Sequence, residues 1–136
     1  MSKEADDLIN EGYAARRLGD LPEALRKYRE GAAIYMIGGE SLKLASAIRH
    51  MGDLHLDLDE LDAAETCLNE ALSIFRATPN CPVLPLANCL RPMGLLLEAR
   101  GNAKAARPFW AEARSYYNQL GIDAGVAECD RHLDAI

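Results

Sequence analysis

Residues 44–76 read LASAIRHMGDLHLDLDELDAAETCLNEALSIFR and have the pattern of two amphipathic helices joined by a short polar turn. The apolar residues at helical spacing are Leu44, Ile48, Met51 and Leu58 in the first run, and Leu61, Ala64, Leu68, Ala71, Leu72 and Phe75 in the second. In the acidic turn, the carboxylate of Asp59 is predicted to cap the second helix by accepting from its first amide groups. Gly52 falls where the two helices are expected to approach closely. The stretch therefore predicts a helical hairpin.

The hairpin recurs along the chain with a period of 40–42 residues. Four columns of residues keep this register: Ala5, Ala45, Ala87 and Ala127; Gly12, Gly52 and Gly94; Ala24, Ala64 and Ala106; and Tyr28, Leu68 and Trp110. A helical hairpin cannot bury its apolar faces alone, so neighbouring hairpins are expected to stack on one another.

The repeat predicts an all-α fold of seven helices in a single domain, residues 1–136. It is an α-solenoid of three hairpins, at about residues 3–37, 41–77 and 83–119, followed by a capping helix at about 123–135. Polar residues at the expected helix starts predict three N-caps, which are Asp20, Ser41 and Asn102.

Composition limits the class of protein. A chain of 136 residues that is 49% hydrophobic is long enough to build a core. Its net charge of −6 argues against nucleic acid or an anionic membrane as the main partner, since both require an electropositive face. No apolar run reaches the roughly 20 residues that span a bilayer. The first residues, MSKEADDLIN, lack an apolar signal core, and the four cysteines have no paired spacing, so a cytoplasmic location is expected.

These repeated columns resemble those of the tetratricopeptide repeat (TPR) family, over nearly the whole chain. Besides the glycine and alanine columns, the column Gly31, Ala71 and Ala113 carries the likeness. The period of 40–42 residues is longer than the usual 34 and is similar to the extended subclass found in kinesin light chains and in bacterial response-regulator phosphatases of this type. The resemblance implies a right-handed superhelix whose first helices line a concave groove, with peptide binding as the usual function.

The resemblance also implies which first-helix residues face the groove. The candidate binding residues are Ile9, Tyr13, Ser46, Arg49, Asp53, Asn88, Arg91, Leu95 and Arg131. Arg49, Arg91 and Arg131 share one column and suit recognition of carboxylates, so an acidic peptide is a candidate ligand. The alternative is local ion pairing, because Arg49 lies four residues before Asp53 and Arg131 lies three before Asp134.

Other groups of polar residues in the sequence do not predict a metal site or a catalytic site. Asp53, His55, Asp57 and Asp59 alternate as in a calcium loop, but the glycine and the distal glutamate of such a loop are absent from the sequence. The histidines lack the spacing of zinc ligands, and no nucleophile motif or phosphate-binding loop is found. We therefore expect no metal, no cofactor and no catalytic residue.

The sequence predicts a non-enzymatic protein-interaction module, a scaffold, that binds a peptide segment of a protein partner in its groove, in the cytoplasm, without nucleic acid or membrane. Two alternatives stay open. One is self-association into a homodimer or other homo-oligomer through the groove or the end faces. The other is a regulator that senses a small acidic ligand.

Overall fold

The computed structural model describes residues 2–136, and these form seven α-helices and no β-strand. The helices are α1 (Ser2–Arg17), α2 (Leu21–Gly38), α3 (Ser41–Asp57), α4 (Leu61–Ala77), α5 (Val83–Ala99), α6 (Ala103–Gln119) and α7 (Asp123–Ala135). The prediction of an all-α helical repeat fold is confirmed, with helix bounds within a few residues of those expected.

The described part of the chain forms two compact units, one ending at Thr78 and the other running from Pro79 to Ile136. The first unit holds the hairpins α1–α2 and α3–α4, and the second holds the hairpin α5–α6 with α7. The single domain over residues 1–136 stays a prediction.

In the first unit, the repeated glycines are sites of close approach between the two helices of a hairpin. A Cβ atom added to Gly12 would lie 2.6 Å from Cε1 of Tyr28, and one added to Gly52 would lie 2.8 Å from Cγ of Leu68. Tyr28 and Leu68 are both fully buried. The absence of a side chain at each glycine therefore makes room for the bulky residue of the facing helix.

The second unit repeats this arrangement. A Cβ atom on Gly94 would lie 2.5 Å from Cε2 of Trp110, which is also fully buried. Helix α7 packs on α6 and has a single buried residue, Cys129. The glycine of α7 also lies close to α6, since a Cβ atom added to Gly125 would be 2.6 Å from Cγ of Tyr117.

Two of the predicted helix caps are confirmed. Oδ1 of Asp20 accepts from the amide of Glu23 at 3.2 Å, and Oδ1 of Asn102 accepts from the amide of Ala105 at 3.2 Å. Both side chains thus satisfy an amide group that has no partner inside the helix.

The other two predicted caps are wrong. The N-cap position of α3 is Glu40 rather than Ser41, which is already inside the helix, and the N-cap position of α4 is Glu60 rather than Asp59. Neither N-cap residue makes a side-chain capping bond. Asp59 instead has a positive φ of 59°, a left-handed conformation in which it ends α3.

Candidate functional site

A concavity of about 450 Å³ lies between α1 and α3 in the first unit, and we call it the α1–α3 pocket. It is lined by Asp6, Ile9, Asn10, Tyr13, Tyr35, Leu42, Lys43, Ser46, Ala47 and His50. Apolar side chains are combined here with amide, hydroxyl and charged groups. Such a combination suits a ligand with both an apolar surface and hydrogen-bonding groups.

The charged groups of this pocket are held by hydrogen bonds between elements. The hydroxyl of Tyr35, on α2, donates to the carboxylate of Asp6 on α1. Nζ of Lys43, on α3, lies 3.2 Å from each carboxylate oxygen of Asp6. The hydrogen bond from Tyr35, assisted by Lys43, lowers the pKa of Asp6 from its ordinary value of 3.8. Asp6 is therefore a carboxylate at neutral pH.

Aromatic rings form the other part of the pocket. The hydroxyl of Tyr13 lies 2.9 Å from Nε2 of His50, and the ring of Tyr28 is stacked on His50 with centroids 5.3 Å apart. Burial, with a smaller contribution from the nearby Arg49 and Arg16, lowers the pKa of His50 to about 3. The imidazole of His50 is therefore neutral at physiological pH.

A second concavity of about 390 Å³, which we call the arginine pocket, shares residues with the first. It is lined by Tyr13, Arg16, Arg17, Tyr28 and His50. Tyr13 and His50 belong to both pockets. A ligand in the α1–α3 pocket would thus lie next to two arginine side chains.

The first unit brings three of the predicted binding residues together. Ile9, Tyr13 and Ser46 all line the α1–α3 pocket. Arg49 and Asp53 lie further along α3, where Nη1 of Arg49 is 2.7 Å from Oδ2 of Asp53. Their side chains are only 18% and 16% exposed, so this predicted local ion pair is largely shielded from solvent.

The predicted residues of the second unit make contacts within that unit. Oδ1 of Asn88 accepts from the hydroxyl of Tyr117 at 2.8 Å. Nε and Nη2 of Arg91 donate to the two carboxylate oxygens of Glu128, at 2.6 and 2.9 Å. Leu95 is partly buried on α5, and Arg131 is exposed on α7. Arg91 is thus paired with a carboxylate of α7.

Sequence reasoning missed the stacked histidines. His132 stacks on Trp110 in the second unit with ring centroids 3.9 Å apart, as His50 stacks on Tyr28 in the first. His50 and His132 are 82 residues apart, and so are Tyr28 and Trp110. Each histidine therefore occupies the same position of its repeat, and this shared register is the signal that would have found the pair.

Among residues 2–136, no group of three or more His, Cys, Asp or Glu side chains is placed to hold a metal ion. Every helix within the same residues is too short or too polar to span a bilayer.

A model of the tetratricopeptide repeat family matches residues 4–77, which is more than half of this chain of 136 residues. The chain therefore belongs to the tetratricopeptide repeat family, and the resemblance carried by its repeated columns is confirmed. Tetratricopeptide repeats generally mediate protein–protein interactions and are typically not enzymes. Both pockets lie within the matched residues.

A solved structure similar to this chain is that of BtubC (BKLC) from P. vanneervenii, with a TM-score of 0.73 and 16% sequence identity. The similarity covers 96% of this chain and 63% of that chain, so this chain spans less than two thirds of its length. At this identity the likeness shows the fold alone. No curated protein matches the sequence significantly.

Proposed function

We propose that this chain is a protein-binding module that accepts a peptide segment of its partner in the α1–α3 pocket. The observation that carries the proposal is the composition of this pocket, in which Ile9, Leu42 and Ala47 provide apolar surface beside polar groups. Membership of the tetratricopeptide repeat family supports it, because protein binding is the general role of these repeats. A peptide has both the apolar side chains and the backbone groups that such a pocket would contact.

The polar groups of the pocket suit the backbone of an extended peptide. Asn10 is exposed on α1, and its side-chain amide offers two donors and one acceptor. Ser46 lies on α3, partly buried, and its hydroxyl can donate and accept. An apolar side chain of the peptide would then bury its surface against Ile9 and Leu42.

The arginine column contributes less to this proposal than the sequence suggested. Arg49 already pairs with Asp53, and Arg91 already pairs with Glu128. An acidic ligand at either site would have to compete with a carboxylate of the chain itself. We therefore place the peptide in the α1–α3 pocket, with Ile9, Tyr13 and Ser46 as its contacts in the first unit.

A matched pair of serine substitutions tests the proposal. Ser46→Arg would fill the α1–α3 pocket with a long side chain, whereas Ser73→Arg makes the same change at an exposed site on α4. Peptides are selected from a random display library on the full chain, and their dissociation constants are measured by fluorescence anisotropy. We expect Ser46→Arg to weaken binding at least about tenfold, which corresponds to about 1.4 kcal/mol. Ser73→Arg is expected to leave binding unchanged.

Circular dichroism and the thermal midpoint of both variants control for folding. Equal affinity of wild type and Ser46→Arg, with both folded, would place the peptide elsewhere and refute the proposal. Failure of the library to yield any peptide that binds the chain specifically would also count against it.

Self-association is a second candidate function, and one observation favours it. Met36 and Ile37, at the end of α2, are 61% and 81% exposed. Two adjacent exposed apolar side chains would be buried if this end of the helix met a second copy. Light scattering on size-exclusion fractions should then show a dimer that Ile37→Ser dissociates, and a monomer at all concentrations excludes this function.

A further inference from the structure

The arginine pocket has a feature that a peptide backbone in the neighbouring pocket does not use. Tyr28 lines it and is fully buried, yet its hydroxyl makes no hydrogen bond to any described residue. Nδ1 of His50 is likewise buried and unpartnered within residues 2–136. Leaving a buried polar group unpaired costs about 1–3 kcal/mol, and most buried polar groups have a protein or water partner. The two residues that carry these groups both line the arginine pocket.

Both groups can act as hydrogen-bond donors. Burial raises the pKa of Tyr28 to about 12, so its hydroxyl keeps its proton at neutral pH. His50 is neutral and carries one ring proton. When the hydroxyl of Tyr13 donates to Nε2 of His50, that proton is on Nδ1. The hydroxyl of Tyr28 is thus a buried donor without an acceptor among residues 2–136, and so is Nδ1 of His50 in this tautomer.

The charge around these donors is positive. Arg16 and Arg17 stand in the last turn of α1 and line the pocket. Arg16 uses Nη2 to bind Asp57 at 2.8 Å, and its guanidinium has further N–H donors. Arg17 is exposed. The pKa of His50 is lowered by Arg49 and Arg16 as well as by burial, which reflects the same positive potential.

Three negative contributions oppose this potential. Asp57 pairs with Arg16, Asp53 pairs with Arg49, and the carboxyl end of α1 carries a partial negative charge. Each of the two carboxylates is matched by one arginine, and Arg17 adjoins the helix end. Neither of these two carboxylates pairs with Arg17, so its guanidinium charge remains for an anion in the pocket.

We propose that the arginine pocket binds an anionic group, a carboxylate or a phosphate, carried by a side chain of the peptide in the α1–α3 pocket. The proposal rests on the proposed function, and it places the acidic group of the ligand at Arg16 and Arg17 rather than at the predicted arginine column. The oxygens of the anion would accept from the guanidinium groups of Arg16 and Arg17, beside the rings of Tyr13 and His50. Tyr13 and His50 line both pockets, so the arginine pocket lies next to a peptide bound in the α1–α3 pocket.

The first test uses small anions and the imidazole of His50 as the reporter. Sodium phosphate or sodium acetate is titrated into the full chain at constant ionic strength, with chloride as the reference, and the ring ¹⁵N signals are followed by NMR. His50→Gln identifies the His50 signals. At neutral pH, where both anions are charged, binding beside His50 should shift its ring ¹⁵N signals in a saturable way.

A pair of matched variants distinguishes anion binding in the arginine pocket from a general effect of positive charge on the surface. Arg17→Gln removes a guanidinium from the pocket, whereas Arg29→Gln makes the same change at an exposed site on α2 outside both pockets. We expect Arg17→Gln to weaken phosphate binding about tenfold, which is the size of one charge-assisted hydrogen bond. Arg29→Gln should leave binding unchanged. His50 signals that do not respond to either anion, or equal effects of the two variants, would overturn the proposal.

The second test distinguishes a peptide side chain from a free anion. Peptides that bind the α1–α3 pocket are resynthesised with each Glu or Asp changed to its amide, and with a phosphoserine in its place. The wild type should bind one amide peptide more weakly than the corresponding acidic peptide, and Arg17→Gln should show a much smaller difference between the two. That result supports an anionic side chain in the arginine pocket. Binding of free phosphate together with indifference to every amide change would refute the peptide side chain as the source. Peptides that are sensitive to Ser46→Arg but insensitive to Arg17→Gln would overturn the anion subsite and leave the proposed function intact.

Discussion

The indole of Trp110 lies flat against the imidazole of His132, with ring centroids 3.9 Å apart and planes 7° from parallel. Glu98 joins the two residues, because its Oε2 accepts from Nε1 of Trp110 at 2.5 Å and lies 2.9 Å from Nδ1 of His132. His132 belongs to α7, in which Cys129 is the one fully buried residue. Ion pairs of Glu128 with Arg91 and of Asp130 with Arg114 also connect α7 to α5 and α6. Ring stacking and charged pairs therefore both contribute to the attachment of the last helix.

Removal of this ring should loosen α7 selectively. His132→Ala loses the stacking contact and the hydrogen bond to Glu98, so we expect the free energy of local opening of α7 to fall by about 1–2 kcal/mol. Amide hydrogen exchange of residues 123–135 measures the change. His55→Ala, which removes a histidine paired with Glu60 in the first unit, is the matched control and should leave α7 unaffected. Unchanged exchange in His132→Ala would show that other contacts hold the helix.

The glycine column provides a second prediction, which concerns stability. Gly94→Ala would place a Cβ atom 2.5 Å from the ring of Trp110, and this ring is fully buried and cannot move aside freely. We expect a loss of about 1–3 kcal/mol in the free energy of unfolding, as for other overpacked cores. Gly38→Ala is the control, since its Cβ would meet only a side-chain oxygen of Glu40 at 3.7 Å. That change should be neutral or stabilise the chain by up to about 1 kcal/mol. Urea denaturation of both variants decides, and equal effects would contradict the steric account.

The sequence predicts those features of the fold that depend on steric contacts within one hairpin and that recur in each repeat. Gly12, Gly52 and Gly94 recur because each must face a bulky residue, and that requirement leaves a visible column in the sequence. The caps at Asp20 and Asn102 are predictable for the same reason, because donor and acceptor lie three residues apart.

Polar contacts between hairpins are harder to predict, because their partners lie far apart in the chain. Tyr13 and His50, Asp6 and Lys43, and Arg91 and Glu128 are each 37 residues apart. Spacing of three or four residues within one helix predicts an ion pair such as Arg49 with Asp53. It cannot predict the pair of Arg91 with Glu128, whose residues lie on different helices. The recurrence of one separation shows that this information is present in the repeat register. These pairs can be predicted from the repeat register only when the packing of neighbouring hairpins is known.

The buried histidine of the first unit predicts a dependence of stability on pH. The pKa of His50 is lowered from its ordinary value of 6.5 to about 3, chiefly by burial. The unfolded chain therefore binds a proton that the folded chain excludes, and the free energy of unfolding should fall as the pH drops from about 6.5 towards 3. One such group contributes at most about 1.4 kcal/mol per pH unit.

The pKa values of Asp6 and Glu128 are lowered from their ordinary values of 3.8 and 4.5. Protonation of these carboxylates in more acidic solution therefore lowers the free energy of unfolding as well. The contribution of His50 is therefore best isolated between about pH 6.5 and 5. Urea denaturation across this range should show a smaller slope in His50→Gln than in the wild type. Equal slopes would mean that the imidazole is protonated in the folded chain.

The turn between α3 and α4 supplies the last prediction, because it corrects the expected role of Asp59. Asp59 stands at the same repeat position as Gly19 and Gly101, which also have positive φ angles, of 82° and 78°. The cap position is the next residue, where Asp20 and Asn102 cap their helices and Glu60 does not. Asp59→Gly should therefore stabilise the chain by about 0.5–1 kcal/mol, by relieving the left-handed backbone of a residue with a side chain.

A capping role would give the opposite sign, because replacing a capping side chain by glycine costs a few tenths of a kcal/mol. Asp62→Gly, in the first turn of α4, is the matched control and should destabilise by up to about 1 kcal/mol, since glycine is unfavourable within a helix. Thermal or urea denaturation of the two variants and the wild type measures the sign of each change in the free energy of unfolding. A loss of stability in Asp59→Gly would mean that its carboxylate contributes more to this turn than its backbone strain removes.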